Sequence, residues 1–190
     1  VQVIFATHNA HKVSEIRPLL PVSVKLVSLD DLGFSREIPE TQDTLAGNAL
    51  QKAKFVYEHF KCACFADDTG LEVDALDGTP GVYSARYAGE NKVAEDNIRK
   101  LLKEMDHEKE RSATFKTVIA YINGGKEYLF EGFVKGRIAE ERMGEKGFGY
   151  DPVFIPEGHS RSFAQMTLEE KNNLSHRSMA VRKFAEFLSK

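Results

Sequence analysis

Apolar and polar positions along the chain change period several times, and each change predicts an element. Residues 1–6, Val-Gln-Val-Ile-Phe-Ala, are β-branched and aromatic and predict a buried strand. After the polar stretch Thr7-His8-Asn9-Ala10-His11-Lys12, the residues Val13, Ile16, Leu19 and Leu20 recur at helical spacing until Pro21 stops the run. A weaker strand follows over 22–29, then a loop over 30–43 and a long helix from a cap at Asp43 or Thr44 to about Phe60. Cys62 to Ala66 read as an apolar strand that ends abruptly at Asp67-Asp68-Thr69-Gly70, with a second short strand over 71–75. Asp77-Gly78-Thr79-Pro80-Gly81 is a turn cluster, and Ile98, Leu101, Leu102 and Met105 form the stripe of a helix over 92–105. Strands over 114–122 and 128–134 meet across Asn123-Gly124-Gly125, a hairpin signal. A glycine-rich loop over 144–151 precedes a strand over 153–155, and 168–190 is helical with a break at Ser175-His176. Strands and helices alternate early and a hairpin comes late, which predicts an α/β fold with a mixed sheet. No repeat, low-complexity tract or linker divides the chain, so 1–190 reads as a single domain.

Composition narrows the class. With 42% apolar and 29% charged residues the chain is that of a folded protein. A net charge of −3 argues against bulk attraction to nucleic acid or an anionic membrane, so any polyanion must meet a local basic cluster. No apolar run approaches the ~18 residues of a membrane span, and the apolar start over 1–6 is too short for a signal-peptide core. Cys62 and Cys64 are separated by a single residue in an apolar run, a spacing of poor geometry for a disulfide, which points to a reducing cytoplasm. Neither a zinc-ligand spacing nor a nucleophile-elbow motif is present.

Four constellations carry candidate chemistry. Thr7-x-Asn9-x-x-Lys12, between a strand and a helix, pairs free helix-end donors with a cation and suits an anion; its bland alternative is a cap beside a surface lysine. Asp67-Asp68-Thr69-Gly70 follows an apolar strand, where adjacent carboxylates are costly unless they meet a cation. On extended backbone the two side chains diverge, so one can hold a metal while the other braces the loop. In Gly147-Phe148-Gly149-Tyr150-Asp151-Pro152, Phe148 offers a stacking face among glycines, against the alternative of a loop that completes the core. Lys171 and Ser175-His176-Arg177 supply several donors near a helix junction. Together these are the parts of a nucleoside triphosphate site: phosphate clamp, metal seat, base platform and base-edge donors.

The same blocks, with Gly81-Val82-Tyr83-Ser84-Ala85-Arg86-Tyr87, resemble the inosine triphosphate pyrophosphatase family over about residues 3–188. The resemblance implies an elongated mixed sheet with flanking helices, two lobes around a deep cleft, a homodimer, and Mg²⁺ as cofactor with Mn²⁺ as substitute. It implies hydrolysis of ITP, dITP and XTP to the nucleoside monophosphate and pyrophosphate. By position, Thr7, His8, Asn9, Ala10, His11 and Lys12 correspond to the triphosphate loop, Lys52 to a phosphate-binding lysine and Thr69 to a further substrate contact. Asp68 corresponds to the catalytic acid and metal ligand, with Glu40 as second ligand. Phe148, Gly149, Tyr150, Asp151, Lys171, His176 and Arg177 correspond to the base-binding set.

One departure stands out: Gly47 replaces a helix glutamate of the family and lowers helix propensity by up to about 1 kcal/mol. Two rival readings are a septum-inhibitor-like pyrophosphatase acting on modified pyrimidine or canonical nucleotides, and a non-catalytic nucleotide sensor. The His176-Arg177 donors favour a purine, and an acid at Asp68 exceeds what binding alone requires.

Overall fold

The opening apolar run forms strand β1 (Gln2–Phe5) in a computed structural model that describes residues 1–190. Helix α1 (Ala10–Ile16) leads to β2 (Lys25–Ser28), and helix α2 (Leu45–Phe60) leads to β3 (Cys64–Val73). Both β2 and β3 run parallel to β1, with Val3 opposite Leu26 and Phe5 opposite Phe65. The short β4 (Pro80–Gly81) pairs antiparallel with β3, and helix α3 (Ala94–Glu104) follows. Strands β5 (Ser112–Asn123) and β6 (Lys126–Ile138) join across Gly124-Gly125, as the hairpin signal predicts. Strand β7 (Phe154–Pro156) pairs antiparallel with β6, and helices α4 (Leu168–Leu174) and α5 (His176–Leu188) close the chain. The sheet order is β2-β1-β3-β5-β6-β7 with β4 beside β3, a mixed α/β sheet.

Two compact units are present: Val1–Asp68 with Thr117–Gly132 and Arg177–Lys190, and Thr69–Lys116 with Phe133–His176. In the first, alternation along the strands sorts side chains onto two faces. Val3, Phe5, Phe65, Ile119 and Tyr121 pack with Ile16 of α1 and with Ala180, Val181 and Phe184 of α5. Ile4, Ala6, Cys64, Ala66, Val118 and Ala120 pack with Ala49, Ala53 and Val56 of α2. The Phe5 and Phe65 rings stack at 4.4 Å. In the second unit, Ile98 and Leu101 of α3 and Met105 just past its end pack with Leu71, Phe115, Ile138, Phe154 and Phe163.

One expectation is corrected. The apolar strand does not end at Asp67; β3 runs unbroken from Cys64 through the two aspartates and Gly70 to Val73, buried along most of its length. A strand can carry buried carboxylates when cations lie against them, and here Lys12 and Arg177 meet Asp67 while Lys52 meets Asp68.

Gly47 is explained by its surroundings. Thr44 caps α2 by accepting from the Gly47 amide at 3.0 Å. A Cβ at Gly47 would lie 2.8 Å from Gln42 Cβ and 2.9 Å from Thr44 Oγ1, so the lost propensity is exchanged for a close loop approach.

Candidate active site

The period of β3 decides which helix each aspartate meets. Asp67 continues the Phe65 face, toward α1 and α5; Asp68 continues the Ala66 face, toward α2.

On the first face, Asp67 is 1% exposed and accepts from Lys12 Nζ at 2.9 Å and from Arg177 Nε at 3.1 Å. Arg177 also donates through Nη1 to Glu15 at 2.5 Å. Burial pushes the Asp67 carboxyl up, but Lys12 and Arg177 outweigh it and hold it far below the usual carboxylate range. Burial lowers the Lys12 ammonium and Asp67 offsets only part of this, whereas for Arg177 the carboxylates of Glu15 and Asp67 prevail over burial and raise the guanidinium.

Asn9 caps α1: its Oδ1 accepts from the amides of His11 at 3.0 Å and Lys12 at 3.3 Å, and Thr7 Oγ1 accepts from the Asn9 amide. The cap reading of this motif is therefore part of its structure, while Lys12 is not a surface lysine but a half-buried partner of Asp67. His8 is exposed with Nε2 3.0 Å from the Arg36 carbonyl, and Ala10 and His11 are exposed at the start of α1.

On the second face, Lys52 of α2 reaches Glu40 Oε1 at 2.6 Å and Asp68 Oδ1 at 3.3 Å. Asp68 Oδ2 is buried without a hydrogen-bond partner. Burial raises the Asp68 carboxyl, and Lys52 and Lys12 only partly offset it. Lys52 shows the converse: burial pushes it down, and Asp68 and Glu40 raise it further. The loop carrying Glu40 is tied to α2 by Thr41 and Gln42, whose amides donate to Gln51 Oε1 and Asn48 Oδ1, each at 2.9 Å.

These residues fit a hard divalent cation in one respect and limit it in another. Asp68 offers an unsatisfied buried carboxylate oxygen beside Glu40, the donor chemistry Mg²⁺ prefers. No group of three or more His, Cys, Asp or Glu side chains comes together to form a protein cage, so the cation's remaining ligands would come from phosphate and water.

The second unit holds the aromatic motif. Asp151, 3% exposed, accepts through Oδ2 from Lys171 Nζ at 2.6 Å and from the Phe148 amide at 2.9 Å. Lys171 Nζ lies 5.1 Å from the centre of the Phe148 ring. The Asp151–Lys171 pair thus fixes the turn that presents Phe148. Gly147 has φ of +71°, and a Cβ there would clash with Asp151 Oδ2. Gly147→Ala should lower stability by about 1–3 kcal/mol through the strained backbone and the displaced carboxylate, measured as the urea midpoint. An unchanged midpoint would mean that the turn relaxes freely.

The Tyr150 hydroxyl donates to the Ser84 carbonyl at 2.7 Å, so this side chain serves the core and brings the Tyr83-Ser84 segment to the motif. The ring of His176 stacks on Phe115 at 4.4 Å. Gly149 and Thr69 are part-buried within the second unit.

The structure therefore gathers Lys12, Asp67, Arg177 and Glu15 into one network, Lys52, Glu40 and Asp68 into another, and Phe148, Asp151 and Lys171 into a third. His176 and Arg177 adjoin in sequence yet have different neighbours, an aromatic ring for one and two carboxylates for the other. Glu15 was not singled out by the sequence pattern; its signal was a carboxylate three residues after Lys12 on the same helix face.

Comparison with known proteins matches the Ham1 family to residues 3–187. A dITP/XTP pyrophosphatase of Porphyromonas gingivalis is 55% identical over 188 residues, covering 98% of this chain and 97% of the relative. One of Flavobacterium johnsoniae is 50% identical, covering 100% and 98%. The solved Ham1 protein of Staphylococcus aureus superposes with a TM-score of 0.89 at 36% identity, covering 100% of this chain and 98% of that one. With a family match over nearly all of its length and a fold shared with a solved member, the chain belongs to the Ham1 family.

Proposed function

We propose that the chain hydrolyses the non-canonical purine nucleoside triphosphates ITP, dITP and XTP to the nucleoside monophosphate and pyrophosphate, clearing deaminated purines from the nucleotide pool. The observation that carries the reading is Asp68, a buried carboxylate with one oxygen unsatisfied, set beside Lys52 and Glu40. The full-length relatives named for dITP and XTP support the substrate class.

In this reading Glu40 and Asp68 would hold Mg²⁺, or Mn²⁺ in its place, and the ion would supply charge neutralisation at the phosphates. Asp68 orients the attacking water and takes its proton. Water adds to the α-phosphorus, the α–β bridge breaks, and Lys12 and Lys52 stabilise the charge on the departing pyrophosphate. Phe148 stacks on the base, with Gly149, Asp151, Lys171 and His176 around it. Asn9 and Thr7 shape the phosphate loop. A homodimer and a cytoplasmic setting belong to the same proposal; no helix is long and apolar enough to cross a membrane.

The test is pyrophosphate release from ITP, XTP, ATP and UTP with and without Mg²⁺. The expected result is release from ITP and XTP that chelation by EDTA abolishes. Activity that survives exhaustive chelation, or orthophosphate as the first product, overturns the reading.

A further inference from the structure

We propose that Lys52 is the resident counter-ion of the site: it neutralises Glu40 and Asp68 until a triphosphate draws its ammonium away, so the form of substrate the site accepts is the metal–nucleotide complex and not the metal alone. This rests on the proposed function and concerns the order in which its parts assemble.

Three observations carry it. First, Lys52 is almost fully buried and stands between the two carboxylates, 2.6 Å from one and 3.3 Å from the other. These are the two carboxylates that a divalent cation would use. An ammonium and a metal ion cannot share them closely, because like charges a few ångströms apart repel strongly in a poorly hydrated site. Second, the cations of the network are already committed to carboxylates: Lys12 to Asp67, Arg177 to Asp67 and Glu15, and Lys52 to Glu40 and Asp68. A metal-free triphosphate that drew Lys52 away would leave Glu40 and Asp68 without their cation. A triphosphate carrying its metal brings both charges at once. Its phosphate oxygens accept from Lys52 while the carboxylates are released to the metal, and no buried charge is left uncompensated. Third, Asp68 Oδ2 lacks a partner, which leaves one foothold for the arriving cation before Lys52 has moved.

The device differs from a simple phosphate-binding lysine, which needs no carboxylate contact in the absence of phosphate. It also makes Lys52 an inhibitor of metal binding in the empty site, which a phosphate contact alone is not.

The test is Mn²⁺ binding to the whole protein without nucleotide, followed by the resonance signal of free Mn²⁺, for wild type, Lys52→Met and Lys52→Arg. Lys52→Met should bind Mn²⁺ at least about ten-fold more tightly than wild type, because the competing charge is gone, and Lys52→Arg should stay near wild type. Equal affinity in wild type and Lys52→Met overturns the proposal.

If Lys52→Met does not fold, wild type decides. With ¹⁵N-labelled lysine, the Nζ signal of Lys52, identified by its absence in Lys52→Arg, should stay in place with Mg²⁺ alone. It should shift when Mg²⁺ is added with the α,β-methylene analogue of ITP. A shift with Mg²⁺ alone overturns the proposal. Failure to release pyrophosphate from ITP would overturn the proposed function instead, and leaves the Mn²⁺ comparison readable.

Discussion

Asp68→Asn should release pyrophosphate from ITP at least about 100-fold more slowly than wild type, the lower range for loss of a general base. The amide keeps the shape of the carboxylate but takes no proton and holds a divalent cation poorly. Stability should not fall with activity. Asp68 has a buried oxygen without a partner, and burial raises its carboxyl, so its ionised form is a strain on the fold. Lys52 keeps Glu40 as a partner in the variant. The urea midpoint should therefore stay at the wild-type value or rise. Asp67→Asn provides the contrast. It removes the anion shared by Lys12 and Arg177 and should lower the midpoint. If Asp68→Asn keeps most of its kcat while Asp67→Asn is inactive and stable, the roles of the two aspartates are reversed.

Arg177→Ala should destabilise the fold by about 3–5 kcal/mol, the cost of stripping the partner from a buried charge. Two carboxylates depend on this guanidinium, Glu15 at 2.5 Å and Asp67 at 3.1 Å, and all three side chains are 5% exposed or less. Arg177→Lys should recover only part of the loss, because an ammonium lacks the planar fork that reaches both partners. Denaturant unfolding measures the effect; a loss below about 1 kcal/mol would place the network in water and not in the interior. Any influence of Arg177 on the base thus comes on top of a structural duty, and base selectivity is best compared in Arg177→Lys.

Element positions were legible where the hydrophobic period was long. The α2 cap at Thr44, the hairpin across Gly124-Gly125 and the break at Ser175 all lie where the pattern places them. The continuity of β3 through Asp67 and Asp68 is hidden in the sequence for a physical reason. A pair of aspartates signals a turn when only neighbours in sequence are counted, and the cations that permit burial lie far away, at Lys12, Lys52 and Arg177. Alternation along the strand predicted that the two carboxylates part company, and they do, but it could not say that Asp67 meets α1 and α5. Glu15 was hidden for the same reason. On a short helix it reads as one more solvated acid until Arg177 is brought to it. Lys171 and Asp151 were both named from the sequence as substrate contacts; that they pair with each other, and so hold the Phe148 turn, depends on a side-chain geometry that spacing does not contain.

The ion network around Asp67 also bears on how the protein is made. Arg177 lies 110 residues after Asp67 and 162 after Glu15. A ribosome delivers the chain from its N-terminus, so β1, α1 and β3 are all available well before α5 emerges. During that interval Asp67 has Lys12 but lacks its second cation, and Glu15 lacks Arg177 altogether. The early segments can collapse on Phe5, Ile16 and Phe65, yet burying those two acids stays costly until the last helix arrives. Completion of the first unit thereby waits for a nearly finished chain, and a product cut short before Arg177 should be cut by proteases faster than the full chain.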